Sequence, residues 1–144
     1  MSEQDTINLL RETSKGVQMA IFSFDDLIGH VKNPALKKVI TESRNDHKRL
    51  HDENANLLKG HKAADESLGM MAKGMAHMSM DTKLGMEDSD RVIAGIITKG
   101  CDTGTRNLYK YINEYAGADL TAAETAKKLI NIEENLEENL RVYL

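Results

Sequence analysis

Four stretches of this chain, each about 25 residues long, carry apolar residues at alternating steps of three and four, the period of a helix that buries one stripe. In the first (helix A) the stripe reads Ile7, Leu10, Ser14, Val17, Ile21, Phe24, Ile28, Val31, and in the second (B) Leu36, Ile40, Ser43, His47, Leu50, Asn54, Leu57. The third (C) gives Ile93, Ile96, Gly100, Gly104, Leu108, Tyr111, Tyr115, and the fourth (D) Ala122, Ala126, Leu129, Glu133, Leu136, Leu140, Tyr143. Punctuation agrees with this division. Asn33-Pro34 caps a helix start and ends helix A near Lys32. Lys59-Gly60 closes helix B, where a glycine takes the left-handed conformation at little cost. Asp88-Ser89 opens helix C and Ala116-Gly117 closes it. Thr121 with Glu124 three residues on is a capping box that starts helix D near Ala122. The fold class is therefore all-α, a four-helix bundle of two antiparallel hairpins. Residues 60–88 are too many for a tight turn and form a long crossover, with a short methionine-rich helix expected within it.

Composition narrows the function. At 144 residues the chain fits one domain, 1–144, with a core of ordinary size. No apolar run approaches the ~20 residues of a membrane span. Residues 1–16 show no basic segment followed by an apolar core, so no export signal is expected. Cys101 is the single cysteine, which leaves no internal disulfide and suits a reducing cytoplasm. A net charge of −4 with both signs interspersed argues against nucleic acid, as do only two Phe, four Tyr and no Trp for base stacking.

The polar interruptions of the stripes share one level. Counted from its own turn, His47 is about 14 residues in and Glu133 about 15, which puts both near mid-bundle. A layer follows: Ser14 and Gln18 from A, Ser43 and His47 from B, Cys101 and Asp102 from C, Glu133 from D. A buried imidazole beside a buried carboxylate must be paired, hydrogen-bonded or coordinated to a cation. Three readings fit: a hydrogen-bonded His–Glu layer that fixes helix register, a small-ligand site, or one divalent ion (iron, manganese or zinc) on His47 and Glu133 with help from Cys101 or Asp102. A complete di-metal site needs a Glu-x-x-His pair on each of two helices. Here Arg44 stands three positions before His47, and Leu136 and Glu137 stand three positions after Glu133 and Glu134. Gly100 and Gly104 on the stripe of helix C provide space, for a close helix or for a ligand beside Cys101. Cys101 itself reads as an inert buried thiol.

Residues 64–86 hold six of the eight methionines. Leu68, Met71, Met75 and Met78 share one stripe, which reads as packing, a dimer contact or a protein-partner surface, with Cu(I) binding beside His77 the sharper alternative. In helix D, Glu133/Glu137 and Glu134/Glu138 set like charges one turn apart, with Lys99 level with Glu137 across the hairpin. Triads, phosphate-cradling glycine loops and nucleotide fingerprints are absent.

Several short segments carry a resemblance: Lys15-Gly16, Asn33-Pro34-Ala35-Leu36-Lys37, Met71-Ala72-Lys73-Gly74-Met75, Gly100-Cys101-Asp102 with Gly104, and Ala126-Lys127-Lys128-Leu129-Ile130. Through them nearly the whole chain resembles a bacterial family of ferritin-like four-helix-bundle proteins of unknown function. The resemblance implies a ferritin-like bundle with B packed on D and A on C, bringing His47 and Glu133 to adjacent helices. It supplies no activity, and of the iron-ligand positions of ferritin-like enzymes at most His47 and Glu133 match, with Cys101 or Asp102 a doubtful third. The expected protein is a non-catalytic, cytoplasmic bundle, a homodimer with an interaction or stress-related role; the alternative is a ferritin-like metal-binding protein.

Overall fold

The computed structural model describes residues 2–66 and 89–144. Four α-helices pack on one another: α1 (Glu3–Leu27), α2 (Pro34–Gly60), α3 (Ser89–Glu114) and α4 (Leu120–Leu140). Single 3-10 turns, Ile28–His30 and Arg141–Tyr143, extend α1 and α4, and no strand occurs among the described residues. The methionine stripe at Leu68, Met71, Met75 and Met78 lies outside the described residues.

Local chemistry starts the helices. Ser2 caps α1 by accepting from the Asp5 amide, and Glu3 and Asp5 put negative charge on its positive end. Asn33 caps α2 by accepting from the Ala35 amide at 2.8 Å, with Pro34 in the first turn as expected. Two expected termini are corrected. Helix α4 is capped by Asp119, whose carboxylate accepts from the Ala122 amide at 2.8 Å, so Thr121 lies inside the helix rather than ahead of it. At the end of α2, Gly60 stays helical, and Lys62 takes the left-handed conformation at φ 56° while the Ala63 amide donates back to the Leu58 carbonyl at 2.9 Å. A lysine Cβ is strained there, so Lys62→Gly is expected to raise stability by about 0.5 kcal/mol after the entropy cost of glycine. A lower urea midpoint in the variant would contradict this.

Polar ties at the two ends set the helix directions. At one end the Lys32 and Asn33 amides, in the α1–α2 turn, donate to the Asp90 carboxylate at the start of α3, at 2.8 and 3.0 Å. At the other end the Ser2 amide donates to the Gly117 carbonyl at 2.6 Å, the Gly117 amide donates to Asp5, and the Asp119 amide donates to the Thr6 hydroxyl. His61, just past α2, reaches Glu3 and Asp119 at that same end. Helix α2 thus finishes at the end opposite to where α3 begins. The two run parallel, and residues 61–88 connect opposite ends of the bundle.

The closest packing is α1 with α2, α3 with α4 and α2 with α4, and α1 lies against both α3 and α4. The apolar core is in two pieces. Phe24, Leu27, Leu36, Ile40, Ile93, Ile97, Leu136 and Leu140 form one. Leu9, Leu10, Val17, Leu50, Leu58, Leu108, Leu129 and Ile130 form the other. Between them along the chain fall Ser43 and His47 on α2, Gly104 on α3 and Glu133 on α4. The α2 and α4 stripes match expectation closely, with Leu58 replacing Leu57. On α3 the buried residues are Ile93, Ala94, Ile97, Cys101 and Leu108, so the expected stripe through Ile96 and Gly100 is turned by one position and Gly100 is exposed.

Candidate functional site

His47 is fully buried and held from three sides. Its Nδ1 lies 2.7 Å from the Ser43 carbonyl oxygen one turn back; a carbonyl only accepts, so Nδ1 carries the hydrogen. The ring of Phe24 meets the imidazole edge-on, centroids 5.1 Å apart. With Nδ1 committed, Nε2 is aimed toward Glu133, whose Oε1 is 3.9 Å away. That distance suits an ion pair but is too long for a hydrogen bond. Among the described residues neither His47 Nε2 nor Glu133 Oε2 has a hydrogen-bond partner.

The carboxylate of Glu133 is accommodated by Gly104 on α3. A Cβ at position 104 would stand 2.6 Å from Glu133 Oε2 and 3.2 Å from Oε1, closer than real side chains approach. Gly100, by contrast, has nothing within 4 Å of the position its Cβ would occupy, and Gly16 meets only Leu129 at an ordinary 3.4 Å. Of the glycines read as space-makers, Gly104 is the one that makes space, and what it makes space for is a carboxylate.

The other members of the expected layer separate. Cys101 is buried beside Glu133; burial pushes its thiol well up, and the charges of Glu133, Glu137 and Asp102 push it further, so it is a thiol at neutral pH. Asp102 is exposed, and its carboxyl faces Glu137 rather than His47. Ser14 and Gln18 turn to the segment after α2: the Ser14 hydroxyl donates to Asp65, and the Gln18 amide donates to Ser14 at 3.0 Å and to the Glu66 carbonyl at 2.7 Å. Sequence levels placed all seven side chains at one height, but direction around each helix decides which of them meet.

A cavity of about 650 Å³ opens between α1 and α3 over this pair. Its walls include Met19, Phe24, Ile96, Ile97, Leu108 and Tyr111, with His47 and Glu133 contributed from α2 and α4 behind them. Size and apolar lining are those of a small-molecule pocket. The room expected beside Cys101 lies along this cavity, which Gly100 and Gly104 line; stripe reading missed the part played by α1, where Gly16, Met19 and Ala20 form the facing wall.

Charge in the site is conditional. Burial pushes the Glu133 carboxyl up, against the pull of His47. Glu137 is pushed up to about 7 by burial, by its hydrogen bond with Asp102 and by the charges of Asp102, Glu133 and Glu134. A carboxyl raised in the folded state binds its proton more tightly there than in the unfolded chain. Its stabilising contribution is full below the unfolded value of 4.5 and is lost as pH rises through about 7. Stability should fall across that window, and Glu137→Gln should flatten the fall; urea midpoints measured through it that decline equally in both proteins would refute this.

Among the described residues no group of three or more His, Cys, Asp or Glu side chains is arranged to hold a metal ion. His47 and Glu133 offer two ligand-type atoms 3.9 Å apart, wider than the about 3.4 Å that two bonds of about 2.1 Å span at a tetrahedral angle, so the pair would have to close slightly to share one ion. Asp102 is exposed and its carboxyl faces Glu137, away from this pair. No helix among the described residues is long and apolar enough to cross a membrane. Comparison of the chain with protein-family models, curated proteins and solved structures finds no match.

Proposed function

We propose that this chain is a non-catalytic, ferritin-like binding bundle whose cavity between α1 and α3 takes a small, largely apolar ligand, with His47 and Glu133 as its polar anchor. The ferritin-like reading is supported by the parallel run of α2 and α3 and by the connection between opposite ends of the bundle. The binding reading rests on one observation: two buried polar atoms, His47 Nε2 and Glu133 Oε2, lack hydrogen-bond partners among the described residues, and both side chains line a roomy apolar cavity. A pair kept only for helix register would close its own hydrogen bond. Here the Glu133 side stands against a glycine, and the gap stays open at 3.9 Å.

The test is titration of ¹⁵N-labelled protein with n-hexanol. Saturable shifts of the Gly16, Gly100 and Gly104 amides, lost in a cavity-filling Ala20→Leu variant, are expected. Absence of saturable shifts up to the solubility limit would overturn the proposal.

A single divalent ion is the second reading, favoured by an imidazole nitrogen and a carboxylate oxygen that face each other, both on buried side chains. Such an ion would sit between His47 Nε2 and Glu133, completing its shell with water from the cavity. Protein expressed with iron, manganese and zinc should then retain stoichiometric metal that Glu133→Gln loses. Metal-free, well-folded protein removes this reading.

A further inference from the structure

We infer that the ligand of this cavity carries a protonated primary amine on an apolar body, the ammonium group lying between His47 Nε2 and the Glu133 carboxylate. The inference rests on the binding reading above and adds the chemical class.

The hydrogen-bond inventory comes first. Because Nδ1–H is committed to the Ser43 carbonyl, neutral His47 presents only a lone pair at Nε2, and ionised Glu133 presents only lone pairs. Two acceptors face each other across 3.9 Å at the cavity. What satisfies both is a group with at least two donors; a water molecule meets that count, so a ligand group that displaces it must donate at least twice. A hydroxyl has one hydrogen to give, and a ligand carboxylate has none and would meet Glu133 with like charge. A primary ammonium has three donors and a positive charge, and hydrogen bonds from one nitrogen at about 2.9 Å each reach both atoms.

The charges around the cavity are of the same sign. Cys101 and Tyr111 both line it; the Cys101 thiol is pushed up by burial and then by Glu133, Glu137 and Asp102, and the Tyr111 hydroxyl first by Glu12, against the pull of Lys15. Carboxylates other than Glu133 thus lie near the wall on different turns of α3. Of the lysines that line the cavity, Lys15 is already occupied by Glu12 and Glu66, each at 3.6 Å. Lys99 is exposed to solvent. The remaining walls, Met19, Phe24, Ile96 and Leu108, offer nothing charged and suit an alkyl or aryl body.

The experiment compares four probes of equal chain length on the full-length protein: hexylamine, hexanol, hexanoate and hexyltrimethylammonium, each titrated while the Gly104 amide and the His47 imidazole nitrogens are followed by NMR. Hexylamine is expected to bind at least about tenfold more tightly than hexanol, the usual margin for a charge-assisted hydrogen bond. Hexanoate should be weakest. Hexyltrimethylammonium, which has the charge but no N–H, should fall well below hexylamine. In Glu133→Gln the amine preference should drop to within about threefold of hexanol while hexanol binding persists, which also shows that the variant is folded. Equal binding of hexanol and hexylamine, or tighter binding of hexanoate, would overturn the amine assignment and leave the cavity reading standing. Failure of all four probes to bind would remove both.

Discussion

Replacing His47 and Glu133 together by leucine should leave the bundle as stable as the natural chain or more so, whereas His47→Ala alone should cost about 3–5 kcal/mol. The single change removes a ring that is fully buried, packed edge-on against Phe24 and hydrogen-bonded to the Ser43 carbonyl. It also removes the imidazole that the buried Glu133 faces. The double change removes both desolvation penalties and supplies two side chains of similar volume to the layer between the two apolar clusters. Urea unfolding of the two variants beside the natural chain at neutral pH decides the matter. If the leucine pair loses as much as His47→Ala, the polar layer exists for stability, and the argument that it is maintained for a ligand collapses. The leucine pair should at the same time bind hexanol but show no preference for hexylamine.

Gly104→Ala and Gly100→Ala, one turn apart on the same helix, should move stability in opposite directions. At a free helical position alanine gains about 0.5–1 kcal/mol over glycine, and Gly100, exposed and with nothing near its missing Cβ, should show that gain. At Gly104 the same methyl lands 2.6 Å from Glu133 Oε2. The carboxylate must then rotate away, and the expected net loss is about 1–3 kcal/mol despite the propensity gain. Amine binding should fall with it. Thermal unfolding of the two variants side by side is sufficient, and two gains of equal size would mean that Glu133 moves at no cost and is not held where its partner needs it.

Which parts of this were legible in the chain follows from what periodicity encodes. The α2 stripe from Leu36 to Asn54 and the α4 stripe from Ala122 to Leu140 could be read directly, because the three- and four-residue steps run unbroken there and the adjacent apolar residues, Val39 and Ile130, widen the same buried face and do not turn it. Helix α3 could not. Ile96 and Ile97 are adjacent and equally apolar, and choosing Ile96 carried Gly100 into the core and left Cys101 out of line. The levels of His47 and Glu133 were legible because hairpin counting depends only on helical rise. Their separation from Asp102, Ser14 and Gln18 was not, because rotation about the helix axis and the pull of Asp65 and Glu66 on α1 are tertiary facts. The two corrected caps have a common cause: Asp119 and Lys62 each stand beside a stronger consensus signal, and the backbone outside the helix chose the residue whose geometry closed the turn.

His47 belongs to the first hairpin and Glu133 to the second, which has a kinetic corollary. Each hairpin can form from contacts near in sequence while its half of the pair remains hydrated, so the expense of drying imidazole and carboxylate falls on the event that brings the hairpins face to face. Refolding should accordingly slow as Glu133 ionises, and the Glu133→Gln chain should lose that part of the dependence on acidity.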